Sequence, residues 1–158
     1  DLVAAGQCWW WFDPEARTRE MRRVLVPGGR VVIASFCYLP CGDNVAERSE
    51  YLLLGFNPGW RAAKCTGLFP EQVIELAHAT FADVESFSYD EDVAFTHESW
   101  RGRMRACNGA GASLEPNVLG AFDAALASML EKDHREPLSI PHRVYVVTGV
   151  SPRKGGGE

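Results

Sequence analysis

Two groups of side chains in this 158-residue chain have types and spacing suited to holding a ligand. The first is the run Gly6-Gln7-Cys8-Trp9-Trp10-Trp11-Phe12, which follows Asp1-Leu2-Val3-Ala4-Ala5, an apolar stretch that reads as a short buried strand. Open α/β sheets gather ligands just past the carboxyl ends of their parallel strands. Gly6, Gln7, Trp10 and Trp11 are therefore candidates for a ligand wall, with the Gln7 amide hydrogen-bonding and an indole packing on a flat surface. Three tryptophans also suit a packed core. The second group is His97, Trp100, Arg101 and Arg105. A helix from His97 to Cys107 places Trp100, Met104 and Cys107 on one face, and Arg101 and Arg105 one turn apart on a neighbouring face. A guanidinium fork matches a carboxylate, so these arginines could clamp an acidic substrate, or simply be solvated. His97, beside Glu98, is the best-placed base, although a helix N-terminus favours its neutral form and helix-start packing is the plainer role. His142 is assigned to structure, and no residue is assigned to catalysis.

The elements that must position these groups follow from local signals. Asp13-Pro14 pairs an N-cap acceptor with proline at the first helical position, starting a helix that runs to Leu25. Met21, Val24 and Leu25 form its apolar face, and Arg17, Arg19, Arg22 and Arg23 are expected in solvent. Pro27-Gly28-Gly29 ends the helix, and Arg30 to Phe36 is the continuous β-branched run of a strand covered on both faces. Strand, helix, turn and strand make a βαβ unit. Asn44-Val45-Ala46-Glu47 reads as a capping box opening a helix towards Phe56. Residues 60–69 read as loop, and Pro70 opens a helix carrying Val73, Leu76, Ala77 and Phe81 on one stripe. Val84 to Tyr89 alternates as a half-buried strand near a sheet edge, with Asp90-Glu91-Asp92 as an acidic turn after it. Asn108 to Ala112 is a turn, Pro116 to Lys132 a long helix, Pro141 to Thr148 the final strand. Residues 1–150 are expected to form one domain, and residues 151–158 a flexible tail.

Composition narrows the function classes. With 46% hydrophobic and 23% charged residues the chain has ordinary globular content for one domain. A net charge of -5 disfavours nucleic acid and membrane surfaces, which attract basic fields. No run of eighteen apolar residues occurs, so the expectation is a soluble, cytoplasmic protein. Five cysteines at irregular spacing, with no CxxC pair, point to neither a disulfide framework nor a metal site.

The ordered motifs Asp1-Leu2-Val3, Gln7, Trp10-Trp11-Phe12-Asp13 and Arg23-Val24-Leu25-Val26-Pro27-Gly28-Gly29 resemble the middle of class I S-adenosylmethionine-dependent methyltransferases. The similarity is greatest to the methyltransferase type 11, trans-aconitate-methyltransferase-like group. Trp100-Arg101-Gly102-Arg103-Met104-Arg105 and Pro141-His142-Arg143-Val144 are similar to bacterial-type members, so the resemblance covers nearly the whole chain. It implies a mostly parallel Rossmann-like sheet with helices on both faces, of which this chain holds the fourth to seventh strands, the last running antiparallel. It implies S-adenosyl-L-methionine as cofactor, with Gly6, Gln7, Trp10 and Trp11 along it, and His97, Trp100, Arg101 and Arg105 towards the substrate.

Two departures from the family pattern matter. No glycine-rich strand-to-helix turn occurs, nor the acidic residue that would accept from the ribose hydroxyls. Trp10 stands where the family often has histidine, and an indole stacks and donates but relays no proton. The expectation is a C-terminal fragment, inactive alone, whose opening strand leaves a sheet edge for its missing N-terminal half or for self-association. A non-catalytic α/β interaction module, or a degenerate methyltransferase half, is the alternative reading.

Overall fold

The computed structural model describes residues 1–152. Its elements are β1 (Leu2–Gly6), a 3-10 turn (Trp9–Trp11), α1 (Pro14–Val24), β2 (Arg30–Tyr38), α2 (Val45–Phe56), α3 (Pro70–His78), β3 (Ala82–Phe95), α4 (His97–Arg105), α5 (Pro116–Asp133) and β4 (Leu138–Val150). The sheet order is β1-β2-β4-β3. β1 and β2 pair in parallel from Leu2 opposite Arg30 to Gly6 opposite Ala34. β4 runs antiparallel to β2. The Ser151 N–H donates to the Gly29 carbonyl (2.7 Å) before β2 begins, while Leu39, just past the end of β2, donates to the Pro141 carbonyl (2.8 Å) near the start of β4. The mixed α/β class with an antiparallel last strand is thus the observed one.

Start signals predicted from sequence act as expected. The Asp13 carboxylate accepts from the Ala16 N–H (2.8 Å), and the Asn44 side chain accepts from the Glu47 N–H (2.9 Å). Such caps each contribute about 1 kcal/mol. The Glu47 carboxylate accepts instead from Asp43 N–H (2.7 Å), one residue before the expected donor of a capping box. α4 is capped by Thr96 and Ser99, which accept from each other's backbone N–H groups.

Four local expectations are corrected. β3 does not stop at Tyr89; it continues through Asp90-Glu91-Asp92 to Phe95. β3 is an edge strand with almost every residue exposed, so acidic side chains cost it little, and charge on an edge discourages pairing with foreign strands. Val24, expected on the apolar face of α1, is exposed. Arg17, expected in solvent, has a side chain only 12% exposed and is ion-paired. Ser151, expected in the tail, is buried against the Gly28-Gly29 turn; residues 153–158 of that tail lie outside the described residues.

The chain divides into two compact units. Of the described residues, one comprises 1–36, 67–89 and 143–152, and its core joins Ala5, Trp9, Leu25, Val31, Ile33, Leu76, Phe81, Tyr145 and Val147. The other comprises 37–66 and 90–142, with a core around Tyr38, Leu53, Trp100, Met104, Phe122, Leu126, Leu130 and Ile140. In the second unit Gly109 lets the backbone lie against Trp60, where an added Cβ would come within 2.5 Å of the ring. The sequence GAG therefore serves a close approach in a turn. Among the described residues no helix is long and apolar enough to cross a membrane.

Candidate functional site

In the first unit, the ligand-wall candidates gather at the carboxyl end of β1. Gln7 extends the parallel ladder by donating its N–H to the Ala34 carbonyl (2.9 Å), and turns the chain with a φ of 56°. Its side-chain amide donates to the Phe36 carbonyl at the end of β2. The Gln7 Nε2 thus braces two strand ends, and Gly6 is the last residue of β1.

The three tryptophans divide between core and surface. Trp9 is 1% exposed, whereas Trp10 and Trp11 are 41% and 67% exposed. Trp9 Nε1 donates to Glu75 on α3 (3.1 Å), and Arg17 on α1 donates to both Glu75 oxygens (2.6 and 2.5 Å) and to the Trp9 carbonyl (2.7 Å). The Arg17 guanidinium also lies over the Trp9 ring, 5.0 Å from its centroid. This Trp9–Arg17–Glu75 anchor fixes the short turn that carries Trp10 and Trp11. The sequence held its components without any signal joining them, since Arg17 and Glu75 are 58 positions apart. Trp10 begins an aromatic row, 5.6 Å from Phe69 between centroids, with Phe69 a further 6.0 Å from the buried Tyr145. A fixed, partly exposed indole can stack on a flat heterocycle, and its face attracts cations.

In the second unit, Trp100 is fully buried and its Nε1 donates to the Ser49 hydroxyl (2.9 Å). Tyr38 and Phe95 meet its ring edge-on, each 5.3 Å away. Arg101 and Arg105 share the Asp123 carboxylate of α5: Arg101 Nε reaches Oδ1 at 3.0 Å and Arg105 Nη1 reaches the same oxygen at 2.8 Å. Both also donate to Glu98, at 3.0 and 2.7 Å. The helix thus brings the two arginines together, as the spacing predicts, around carboxylates of this same chain. His97 Nδ1 lies 3.9 Å from Glu136, its backbone N–H donates to that carboxylate, and its Nε2 is buried without a hydrogen-bond partner. His142 is buried, stacked on Phe95, with its imidazole held below its ordinary pKa by burial, and so neutral near pH 7. Among the described residues no group of three or more His, Cys, Asp or Glu could hold a metal ion.

The arginine pair makes a pH prediction. Hydrogen bonds from Arg101, then Arg105, hold the Asp123 carboxyl below the usual carboxylate range despite opposing desolvation. A depressed folded pKa contributes stability that is present above the unfolded value of about 3.9 and lost as pH falls through the folded value. The stability difference between the wild type and Asp123→Asn is therefore expected to be full at pH 7 and to shrink below about pH 4. Denaturant midpoints measured from pH 7 to pH 2.5 check this; a difference constant throughout would refute the assignment.

No protein-family model matches the chain, and no curated protein matches it in sequence. Solved structures do. A Bacillus halodurans protein described as a candidate methyltransferase is 15% identical with a TM-score of 0.47, matching 96% of this chain and 69% of that one. A Haemonchus contortus phosphoethanolamine N-methyltransferase 2, solved with phosphomonomethylethanolamine and S-adenosylhomocysteine, is 17% identical with a TM-score of 0.42, over 97% of this chain and 33% of that one. A candidate type II methyltransferase from Anaeromyxobacter dehalogenans is 17% identical with a TM-score of 0.62, over 98% of this chain. The chain shares that protein's fold, and spans 66% of its length.

Proposed function

We propose that this chain belongs to an S-adenosylmethionine-dependent methyltransferase whose acceptor is a small, carboxylate- or hydroxyl-bearing molecule. The observation that carries the reading is the fold shared over 98% of the chain with the Anaeromyxobacter dehalogenans candidate methyltransferase, together with two exposed indoles fixed at the carboxyl end of β1. That position is where open α/β sheets bind ligands. Bound there, the cofactor supplies a methyl group on a sulfonium, transferred by in-line displacement. Such a step asks the protein to align the reactants and needs no covalent intermediate.

The residues present fit one part of the cofactor. Trp10 and Trp11 offer flat, electron-rich faces to its purine and its cationic sulfur. Gln7 positions them indirectly, because its amide nitrogen is committed to Phe36. A wall made of indoles and main chain lacks the acidic acceptor that ribose hydroxyls require. On this reading the 158-residue chain alone is inactive, and further strands against the outer edge of β1 complete the site. The partner is a small molecule rather than a nucleic acid or a membrane, and the compartment is the cytoplasm.

A second reading, a non-catalytic module that pairs through β1, draws on β1 being the edge of the observed sheet with Leu2 exposed. Calorimetric titration of S-adenosylhomocysteine into the protein, in the longest form its gene encodes, separates the two. The expected result is micromolar binding, about -8 kcal/mol, weakened at least about tenfold by the double substitution Trp10→Ala, Trp11→Ala. An absence of saturable heat would sink the methyltransferase reading and favour the module.

A further inference from the structure

α4 carries three arginines in its last five residues, and the second unit treats them differently. Arg101 and Arg105 spend their donors on Asp123 and Glu98. Arg103, between them in sequence, is partly buried, and among the described residues no carboxylate lies in ion-pair range of it. Its guanidinium lies over the Tyr38 ring, 5.2 Å from the centroid. The buried carboxylate of this neighbourhood, Glu50, is already engaged: one oxygen accepts from the Tyr38 hydroxyl at 3.0 Å and the other from the Lys64 N–H at 2.6 Å. The Arg103 charge also acts on the thiols of Cys37 and Cys107, the Tyr38 phenol and the His142 imidazole. Burial pushes the Cys107 thiol and the Tyr38 phenol up and the imidazole down, so each stays neutral at pH 7. The Cys37 thiol is likewise pushed up, first by its hydrogen bond with Cys65 and then by burial.

We infer that Arg103 is the receptor for the carboxylate of a small-molecule ligand, held with its guanidinium over Tyr38 and outside ion-pair range of any carboxylate among the described residues. A partly buried cation given no internal counter-charge gains when a ligand supplies the charge. A stacked guanidinium keeps its edge donors available, and one planar fork matches one carboxylate. The arginine pair singled out by sequence spacing is committed to Asp123, and the recognition falls to the residue between them. This deepens the methyltransferase reading, on which it rests only for calling the ligand the methyl acceptor.

The test is a titration of the arginine Nε–Hε resonances of the full protein with sodium succinate, at ionic strength held constant with sodium chloride. The neutral analogue succinamide serves as control, and the resonance lost in Arg103→Lys identifies the Arg103 signal. The expected result is a saturable shift of the Arg103 resonance with succinate, none with succinamide, and unmoved Arg101 and Arg105 signals. Arg103→Lys, which keeps the charge but loses the fork, should weaken succinate binding at least about tenfold. Arg103→Gln should abolish it at an unchanged denaturation midpoint, and if that variant is unfolded the lysine variant carries the comparison. Equal shifts at all three arginines, an equal response to succinamide, or undiminished binding in Arg103→Lys would overturn the inference. Succinate binding without S-adenosylhomocysteine binding would retain the receptor and discard the methyltransferase; the reverse would retain the enzyme and discard the receptor.

Discussion

Replacing Trp100 by alanine is expected to destabilise the protein by about 3–5 kcal/mol, within the range for removing a fully buried large aromatic. The ring is completely covered and fills the space between Tyr38 and Phe95 in the core of the second unit. Its loss opens a cavity that rigid neighbours cannot close, and removes the indole donor to the Ser49 hydroxyl. Ser49 still donates to the Val45 carbonyl (2.6 Å), so the polar part of the cost is about 1 kcal/mol and the cavity dominates. Trp100→Phe, which retains most of the ring, should therefore recover more than half of the loss. Urea or guanidinium unfolding followed by circular dichroism measures both. A cost below about 1.5 kcal/mol for the alanine variant would show that the site collapses and that Trp100 is not a packing centre. α4 turns this residue wholly into the core.

Glu75→Gln should cost about 2–4 kcal/mol, the cost expected when one partner of a largely desolvated ion pair is neutralised. The Glu75 carboxylate receives Trp9 Nε1 and two Arg17 donors, and the two charged side chains are only 12% and 18% exposed. A glutamine has one acceptor oxygen for three donors and turns an NH2 towards a guanidinium. Arg17 then stays charged, partly buried and without its acid. The double substitution Arg17→Met, Glu75→Leu should recover a good part of the loss, because it leaves no orphaned charge. Denaturant midpoints of the single and double variants check the stability term. The same anchor holds the turn bearing Trp10 and Trp11, so Glu75→Gln should also raise the exposure of Trp9, visible as a red shift and greater quenching of tryptophan fluorescence. A single variant within 0.5 kcal/mol of wild type, with unchanged fluorescence, would show that the turn is held by packing alone.

What local sequence could express about this protein was expressed well. Asp13-Pro14, Asn44 and Pro116 mark helix starts because caps and proline act within one turn of the chain, and the observed helices begin at Pro14, Val45 and Pro116. The run Arg30 to Phe36 announces a strand, and its parallel partner in β1 follows from the intervening helix, but only the face of Val31, Ile33 and Ser35 is buried, while Val32 and Ala34 are half-buried and Phe36 is exposed. The candidates Gly6, Gln7, Trp10 and Trp11 fall together because they end one strand or directly follow it. Tertiary structure decided everything that depends on separations of tens of residues. It extended β3 through three acids because the strand lies at an edge where charge is solvated, and it set β4 between β2 and β3. Arg17 looked like one of four solvated arginines until the fold delivered Glu75 beside it, and Arg101 and Arg105 could be an open clamp or simply solvated until α5 delivered Asp123. Arg103 was indistinguishable from its neighbours for the same reason. The energy of a charge is set by what surrounds it in space, and sequence spacing specifies that environment only within a few residues.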